Sequence, residues 1–366
     1  MRSTIFITSI LLLNYIINLK PNTKSSLDAH VNYVKSLFIE RNGINKIQDV
    51  YNHIGKSYSA YLTEDVLQKV RSLSDVAFIE KNVKVKLDSV QTNAPWGISR
   101  ISQRNFTNTF TYTYDGNGEG VTVYVIDSGI LITHPEFEGR AKFGARFTTD
   151  TDDDGDGLGH GTHCAGTVGS KTYGVAKKVN LVAVKVFDND GNGNFANIIS
   201  AINWVVGDKR GAKGNVISMS LGGPVSESVN SAIETAYQKG FVIVVSAGND
   251  SRDACTKSPA SSPSAITVAA STANDDVWSL SNTGKCVDIF APGSLIVSTY
   301  NDGKTDTLSG TSMSTPHVAG LAAYYLSKEV LTNSQITQKI LKTATKDAIK
   351  KNKPDTVNLL AYNNIV

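Results

Sequence analysis

The sequence predicts an α/β domain with a mostly parallel sheet and helices on both faces, preceded by a small α+β domain. After residue 90, short apolar runs rich in Val and Ile show little alternation, as in strands that are buried on both faces. Helical stretches lie between these runs, and strands that alternate with helices form parallel units with right-handed crossovers. The predicted strands cover residues 121–126, 181–186, 216–219, 241–245 and 265–268, and the predicted helices between them include 196–206 and 229–239.

The first ninety residues have a different pattern. Apolar residues at helical spacing predict a helix over 28–42, and Thr63 is a suitable N-cap for a second helix through Val70. With a first strand at 15–20, the elements follow the order β-α-β-β-α-β of a small α+β unit. The other predicted strands of this unit cover residues 47–54, 58–62 and 76–87.

The N-terminus is typical of an export signal that ends near Asn14. Arg2 supplies a positive charge, and residues 5–13 form an apolar run of suitable length. The alternative for this segment is a buried strand or the start of a buried helix. Because the run is too short and too interrupted to span a bilayer, we expect a secreted protein without a stable membrane span.

The charge distribution gives no support for a nucleic-acid partner. The formal net charge is +3, with +4 in residues 1–90 and −1 in residues 91–366. Most of the chain is therefore almost neutral, whereas a nucleic-acid partner requires a concentrated basic surface.

Three local patterns contain the residue types of nucleophilic catalysis. Asp127 follows a buried run and should lie at the carboxyl edge of the sheet, where parallel sheets keep their sites. His160 lies in GHGTHCAG at the predicted start of a helix. Ser312 lies in GTSMSTPHVAG before an apolar helical run, so that the helix dipole favours negative charge on its oxygen. Taken alone, each pattern also has a structural explanation, such as an N-cap for Ser312.

The order of Asp127, His160 and Ser312 along the chain indicates which type of serine hydrolase the sequence encodes. Asp, His, Ser is the subtilisin order, and the G-x-S-x-G elbow of α/β-hydrolases is not met because residue 314 is Ser. A metal at His163 is an alternative, but Gly161 occupies the glutamate position of an HExxH motif. VIDSGI, GHGTHCAG and GTSMSTPHVAG resemble the three signature blocks of the subtilase family. QTNAPWGISRIS, SMSLGG and SAGND resemble the proteinase K branch of that family, and the resemblance covers roughly residues 91–330.

The resemblance implies a set of site residues. The catalytic residues would be Asp127, His160 and Ser312 as the triad and Asn249 as an oxyanion donor. An extended peptide would pair with two exposed main-chain edges, and ordinary turn chemistry is the alternative for the glycines there. We expect broad specificity for aromatic and aliphatic residues, without an acidic pocket that demands Lys or Arg. The implied edge residues are Ser220, Leu221, Gly222 and Gly223 on one side and Gly191 and Gly193 on the other.

The three cysteines of an exported protein suggest one bridge and one free thiol. The resemblance to thermostable relatives implies a disulfide between Cys255 and Cys286. Cys164 is then the free thiol, and it lies four residues after His160 on the same side of the predicted helix.

The resemblance also implies a structural calcium ion, with no cofactor required for the chemistry. Its ligands would be the carbonyl groups of Pro263 and Ala265 and the carboxylate of Asp288. Another calcium site of the family is not supported, because Arg104 stands at a ligand position. The acidic segment 150–156 only loosely resembles a calcium loop, and we interpret it as a solvated loop.

Residues 15–90 resemble the subtilase propeptide through SLDAHVNYVKSLF and DVAFIEKNVKVKL. The resemblance implies three regions: a signal peptide (1–14), an inhibitor and chaperone propeptide (15–90) and a peptidase domain (91–366). The sequence thus predicts a secreted, monomeric serine endopeptidase that forms an acyl-enzyme and releases itself by a cut near Val90. Its partners would be protein and peptide substrates and its own propeptide. The alternative is a catalytically silent subtilase fold that serves as a binding or surface protein.

Overall fold

The computed structural model describes residues 12–365, except 39–43, 84–88, 106, 108 and 149–154. The chain forms two compact units that divide between residues 86 and 87. Most of the predicted export signal lies outside the described residues, although Leu13 and Asn14 already belong to the first strand. Among the described helices, none combines the length and the apolar character that crossing a membrane requires.

The first unit has the predicted element order. Its four strands pair antiparallel in the order β2-β3-β1-β4. Strand β4 ends at Lys81, next to which Asn82 N–H donates to Asn14 O, and residues 84–87 of the predicted strand lie outside the described residues. Its elements are β1 (Leu13–Leu19), α1 (Leu27–Ser36), β2 (Lys46–Tyr51), β3 (Ser57–Leu62), α2 (Glu64–Arg71) and β4 (Val76–Lys81).

Helices α1 and α2 of the first unit pack against its sheet. Ile17 of β1, Val34 of α1 and Val70 of α2 are fully buried in one apolar cluster. Ser26 caps α1 as its Oγ accepts from Ala29 N–H at 3.1 Å. Thr63 is the N-cap residue of α2, as predicted, but its backbone N–H and hydroxyl both bond to Asn45 instead.

Among its described residues, the second unit contains a large sheet, six α-helices and three short two-stranded ribbons. Its first half comprises β5 (Ser89–Gln91), α3 (Trp96–Ile101), β6 (Tyr112–Tyr114), β7 (Val121–Asp127), β8 (Ala141–Arg146), α4 (His160–Gly169), β9 (Asn180–Lys185), α5 (Phe195–Asp208), β10 (Gly214–Met219), β11 (Gly223–Pro224) and α6 (Glu227–Gln238). Its second half comprises β12 (Val242–Ser246), β13 (Lys257–Ser258), β14 (Ile266–Ser271), β15 (Ile289–Pro292), β16 (Ile296–Thr299), β17 (Thr305–Leu308), α7 (Thr311–Lys328), α8 (Asn333–Thr343), β18 (Thr345–Lys346) and β19 (Leu359–Leu360).

The large sheet has nine strands in the order β18-β19-β15-β14-β12-β10-β7-β9-β8. Every neighbouring pair is parallel except β18 with β19. Strand β7 shows how both faces are covered. Val123 and Val125 pack in the cluster that holds α4, α7 and α8, whereas Tyr124 and Ile126 pack in the cluster that holds α5 and α6. The predicted α/β class, with helices on both faces, is therefore confirmed.

The segment next to the expected cleavage point is not a loose tail. Ser89 and Val90 are exposed, and β5 pairs antiparallel with β6, with Val90 opposite Thr113. Gln91 adds a side-chain bond from Nε2 to Thr172 O at 3.0 Å. The alternating polar and apolar residues of 89–91 match the edge offered by Tyr112–Tyr114.

Candidate active site

Asp127 and His160 form a hydrogen-bonded pair at the carboxyl edge of the large sheet. Asp127 is the last residue of β7, and His160 is the first residue of α4. The distance from Asp127 Oδ1 to His160 Nδ1 is 2.7 Å, and Ser128 N–H donates to the same oxygen. The Asp127 side chain is buried, whereas the His160 ring is 28% exposed. A carboxylate at Nδ1 keeps the proton there, so Nε2 is the atom left to act as a base.

The surroundings of His160 favour its protonated form. Burial opposes a charged ring, but the Asp127 carboxylate and the Cys164 sulfur outweigh it, so the pKa of His160 lies well above its usual value. The Sγ atom of Cys164 lies 4.0 Å from His160 Nδ1, one helical turn along α4. An imidazole with a raised pKa accepts a proton readily, as a general base must.

Asp156 fixes the start of the helix that carries His160. Its Oδ1 accepts from Gly159 N–H and Ser128 Oγ, both at 2.8 Å. Its Oδ2 accepts from Thr162 N–H at 2.8 Å and from Thr162 Oγ1 at 2.6 Å. Asp156 is 6% exposed, so four bonds to one buried carboxylate position the turn on both sides of His160. The interpretation of this residue as part of a solvated loop is wrong. Residues 149–154 of that loop lie outside the described residues.

Ser312 is the second residue of α7 and lines one cavity together with Asp127 and His160. Its hydroxyl donates to Ser220 O at 3.3 Å. Its carbonyl group would normally accept from the N–H of residue 316, but Pro316 has none. Ser220 Oγ at 2.8 Å and Cys164 Sγ at 3.4 Å donate to this carbonyl instead. Side chains from two other segments therefore hold the backbone of Ser312.

Asn249 lies just after β12 and is oriented by the start of α7. Its Oδ1 accepts from Thr311 N–H at 2.9 Å and from Thr311 Oγ1 at 2.8 Å. Because the carbonyl end of the amide is held in this way, Nδ2 is the end that can donate to a ligand. Together with the N–H groups at the start of α7, it provides donors for a negatively charged oxygen.

A cavity of about 410 Å³ brings most of the predicted site residues together. The four predicted catalytic residues line it, as do Gly191 and Ser220–Gly222 of the two predicted edges. Gly223 and Gly193 do not: Gly223 pairs with Ser258 of β13, and a Cβ atom at Gly193 would meet the Phe187 ring at 2.6 Å.

Seven lining residues were not among the predicted site residues. Three of them are Ser246, Ala247 and Gly248 of the SAGND block, and the other four are Leu158, Phe187, Asp250 and Lys257. Leu158 and Phe187 are apolar, and Asp250 and Lys257 form an ion pair with 2.7 Å between Oδ2 and Nζ. Asp250 is the last residue of the recognised SAGND block and could have been suspected from its position. Lys257 carries no local signal, because only the fold brings it to the cavity. Asp250 thus lines the cavity as one half of an ion pair, and the absence of an acidic pocket that demands Lys or Arg stays a prediction.

Two of the three cysteines form a disulfide, whereas Cys164 and the neighbouring His163 are buried in the core. A disulfide joins Cys255 and Cys286. Cys164 is a buried free thiol, and burial raises its pKa. His163 is fully buried and bonds through Nε2 to the carbonyl groups of Ile296 and Asp306 at 3.0 and 3.2 Å. Burial lowers the pKa of His163 to about 4, so it is a neutral core residue.

The three predicted calcium ligands lie away from the cavity. Pro263 and Ala265 precede β14, and Asp288 precedes the neighbouring parallel strand β15, so all three lie at one edge of the sheet. Asp288 Oδ2 accepts from Thr267 N–H at 2.8 Å, and burial raises the pKa of this carboxyl to about 6. A desolvated carboxylate has the oxygen chemistry that calcium prefers.

Comparisons with known proteins agree with this architecture. The subtilase family model matches residues 118–359, and the peptidase inhibitor I9 model matches residues 14–88. A cuticle-degrading protease from Metarhizium anisopliae is 48% identical over 326 residues, which are 87% of this chain and 83% of that protein. Proteinase R from Parengyodontium album is 44% identical and aligns with 96% of this chain and 88% of its own length.

Solved structures show the same likeness. The crystal structure of a cold-adapted subtilisin-like serine proteinase superposes with a TM-score of 0.72 and 44% sequence identity, covering 75% of this chain and 100% of its own. The predicted subtilisin-like fold is confirmed. The chain belongs to the subtilase family, and it is a serine endopeptidase whose peptidase domain follows an inhibitor I9 domain in the sequence.

Proposed function

We propose that Ser312, His160 and Asp127 carry out peptide hydrolysis through an acyl-enzyme. The Ser312 hydroxyl turns from Ser220 O towards His160, gives its proton to Nε2 and attacks the scissile carbonyl carbon. His160 then protonates the leaving amine, and water completes the cycle by the same route. Asp127 holds Nδ1 and stabilises the charged ring between the two proton transfers.

The negative oxygen of the tetrahedral intermediate would lie between Asn249 Nδ2 and the N–H of Ser312. Thr311 fixes Asn249 before substrate arrives, so the donor costs no reorganisation during the reaction. An extended substrate would pair with the Ser220–Gly222 main chain, which gives affinity with little sequence choice. We therefore propose protein and peptide substrates in general.

The observation that carries this proposal is the 2.7 Å bond between Asp127 and His160 at a cavity that Ser312 and Asn249 also line. A catalytically silent relative would be expected to lack one of these residues, and this chain retains all four. The decisive experiment is labelling with diisopropyl fluorophosphate followed by peptide mass mapping. We expect the label on Ser312 and no label or peptide hydrolysis in Ser312→Ala. A labelled, active Ser312→Ala variant would refute the assignment.

We also propose that the chain cuts itself near Val90 and that the I9 domain then inhibits the product. An uncut strand must leave its neighbour before it can enter an active site, so β5 must first separate from β6. This step costs little, because the pairing involves only three residues and Val90 is 59% exposed. After the cut, residues from Gln91 onward can pair with β6 again.

N-terminal sequencing and a precursor variant test self-cleavage. The mature wild-type protein should begin close to Gln91, and the rate of the cut should not depend on protein concentration. The Ser312→Ala precursor, purified alone, should remain whole. If it is cut near Val90 under these conditions, another protease performs the processing.

A structural calcium ion at Pro263, Ala265 and Asp288 is a further part of the proposal. The ion would neutralise a carboxylate that burial otherwise penalises, and so stabilise the starts of β14 and β15. A chelator should lower the melting temperature and speed autolysis, and Asp288→Asn should remove this response. An unchanged melting temperature in chelator would contradict the site.

Export from the cell is proposed on the apolar N-terminal run, and recovery of the mature protein from culture medium tests it.

A further inference from the structure

The active-site cavity contains a pair of opposite charges that the reaction itself does not use. Lys257 Nζ and Asp250 Oδ2 are 2.7 Å apart, and their side chains are 27% and 43% exposed. Both residues line the cavity. The proposed mechanism gives them no task, so their place in the cavity raises the question of which substrate group they meet.

Lys257 lies where the side chain of the residue before the scissile bond would enter. That residue would pair with Ser220–Gly222 and place its carbonyl oxygen near Asn249, so its side chain would lie between these two walls. Lys257 begins β13, which pairs with β11 directly after Gly222. On the other wall, a Cβ atom at Gly248 would lie 3.7 Å from Lys257 Cγ. The Lys257 stem therefore lies against both walls of this subsite.

The two charges differ in how readily each can change partner. Ion pairs as exposed as this one contribute little, so exchanging one carboxylate for another costs little. Asp250 is the more exposed partner and can be hydrated outside the subsite. Lys257 is anchored through β13 and stays in the subsite. A basic substrate side chain would therefore place a second ammonium group beside the single carboxylate of Asp250. An acidic side chain would instead find an ammonium group already in place.

We propose that Lys257 makes this subsite accept glutamate, in addition to apolar residues, immediately before the scissile bond. The glutamate carboxylate would take the place of Asp250 at Lys257 Nζ. The inference rests on the proposed peptidase function and narrows its substrate class. A neutral apolar subsite would penalise glutamate against its isostere glutamine, because it would desolvate a charge without a partner.

The test compares peptide p-nitroanilides that differ only in the last residue: Phe, Gln, Glu or Lys. The enzyme is the mature protein obtained from the full chain. In wild type, kcat/KM for Glu should exceed that for Gln and for Lys. Lys257→Met should lower the Glu-to-Gln ratio about tenfold or more, which corresponds to about 1.4 kcal/mol. High salt should lower the wild-type ratio as well, because it screens a partly exposed charge.

Matched variants distinguish an effect of the Lys257 charge on specificity from an effect of the substitution on folding. Lys257→Arg should keep the ratio close to wild type, and Asp250→Asn should raise it by removing the competing carboxylate. Lys142→Met changes an exposed lysine on β8 and should leave the ratio unchanged. A wild-type ratio below one, or a ratio that Lys257→Met leaves intact, overturns the inference while Phe hydrolysis still supports the peptidase. Hydrolysis of none of the four substrates refutes the proposed function and this inference with it.

Discussion

Replacing Asp156 tests whether the turn before α4 positions His160. Asp156 does not contact the proposed reacting atoms, but its four hydrogen bonds hold Gly159, Thr162 and Ser128 around His160. Asp156→Asn keeps the shape of the side chain and removes its charge and one acceptor. We therefore expect this single-atom change to lower both stability and turnover.

The expected loss of stability in Asp156→Asn follows from the groups that donate hydrogen bonds to this side chain. In Asp156→Asn, Oδ1 can still accept from Ser128 and Gly159, and the Thr162 hydroxyl can rotate to accept from the new amide. The N–H of Thr162 cannot, and an unsatisfied buried donor costs about 1–3 kcal/mol. Weaker bonds to a neutral acceptor bring the expected loss to about 2–4 kcal/mol. Asp156→Ala, which removes every acceptor, should cost about 3–5 kcal/mol.

Unfolding by denaturant measures the stability, in a Ser312→Ala background that prevents autolysis. Turnover is measured separately with Ser312 present, and kcat should fall by about a factor of ten or more with little change in KM, because a displaced His160 affects only the proton transfers. Asp355→Asn, at an exposed surface position, is the control. If Asp156→Asn matches that control in both unfolding free energy and kcat, the positioning role is wrong.

Four further predictions follow from other contacts. Asn249→Ala should lower kcat about a hundredfold with KM nearly unchanged, and an unchanged kcat would remove Asn249 from the oxyanion site. Replacing Cys255 and Cys286 together by Ser should lower the unfolding free energy by about 3–4 kcal/mol, because the bridge closes a loop of 31 residues. A bulky mercurial should inhibit the wild type but not Cys164→Ala, since the thiol lies 4.0 Å from His160 Nδ1. Burial lowers the pKa of His163 and His317 from 6.5 to about 4, so the stability that each neutral ring contributes should be fully present above pH 6.5 and should be lost as the pH drops towards 4. Each histidine contributes about 3 kcal/mol to this loss, and an unfolding free energy that is flat between pH 6.5 and 4 would contradict it.

The sequence predicted the parts of the site that local pattern determines. Local patterns indicated Asp127, His160 and Ser312, the family resemblance implied Asn249, and the structure brings all four to one cavity. The apolar runs also predicted the central strands to within a few residues. Such strands are buried on both faces, and composition alone reveals them.

Features that depend on tertiary contacts were not predictable in this way. Asp156 lies in an acidic segment that suggests a solvated loop, and only the approach of Thr162 and Ser128 gives it a buried role. Lys257 reaches the cavity because β13 pairs with β11. Strand β8 escaped notice because its pairing with β9 is interrupted between Phe143 and Ala145, which disturbs any periodic pattern.

Pro316 gives the cleft a mechanical property. Because this proline frees the Ser312 carbonyl from the helix, the nucleophile is tethered to Ser220 on the substrate edge and to Cys164 on α4. A motion that widened the cleft would stretch the bonds from Ser220 Oγ and Cys164 Sγ to the Ser312 carbonyl and would displace Ser312. The width of the cleft and the position of the nucleophile therefore change together. Such an enzyme should capture peptides in one kinetic step, without a slow isomerisation after the encounter.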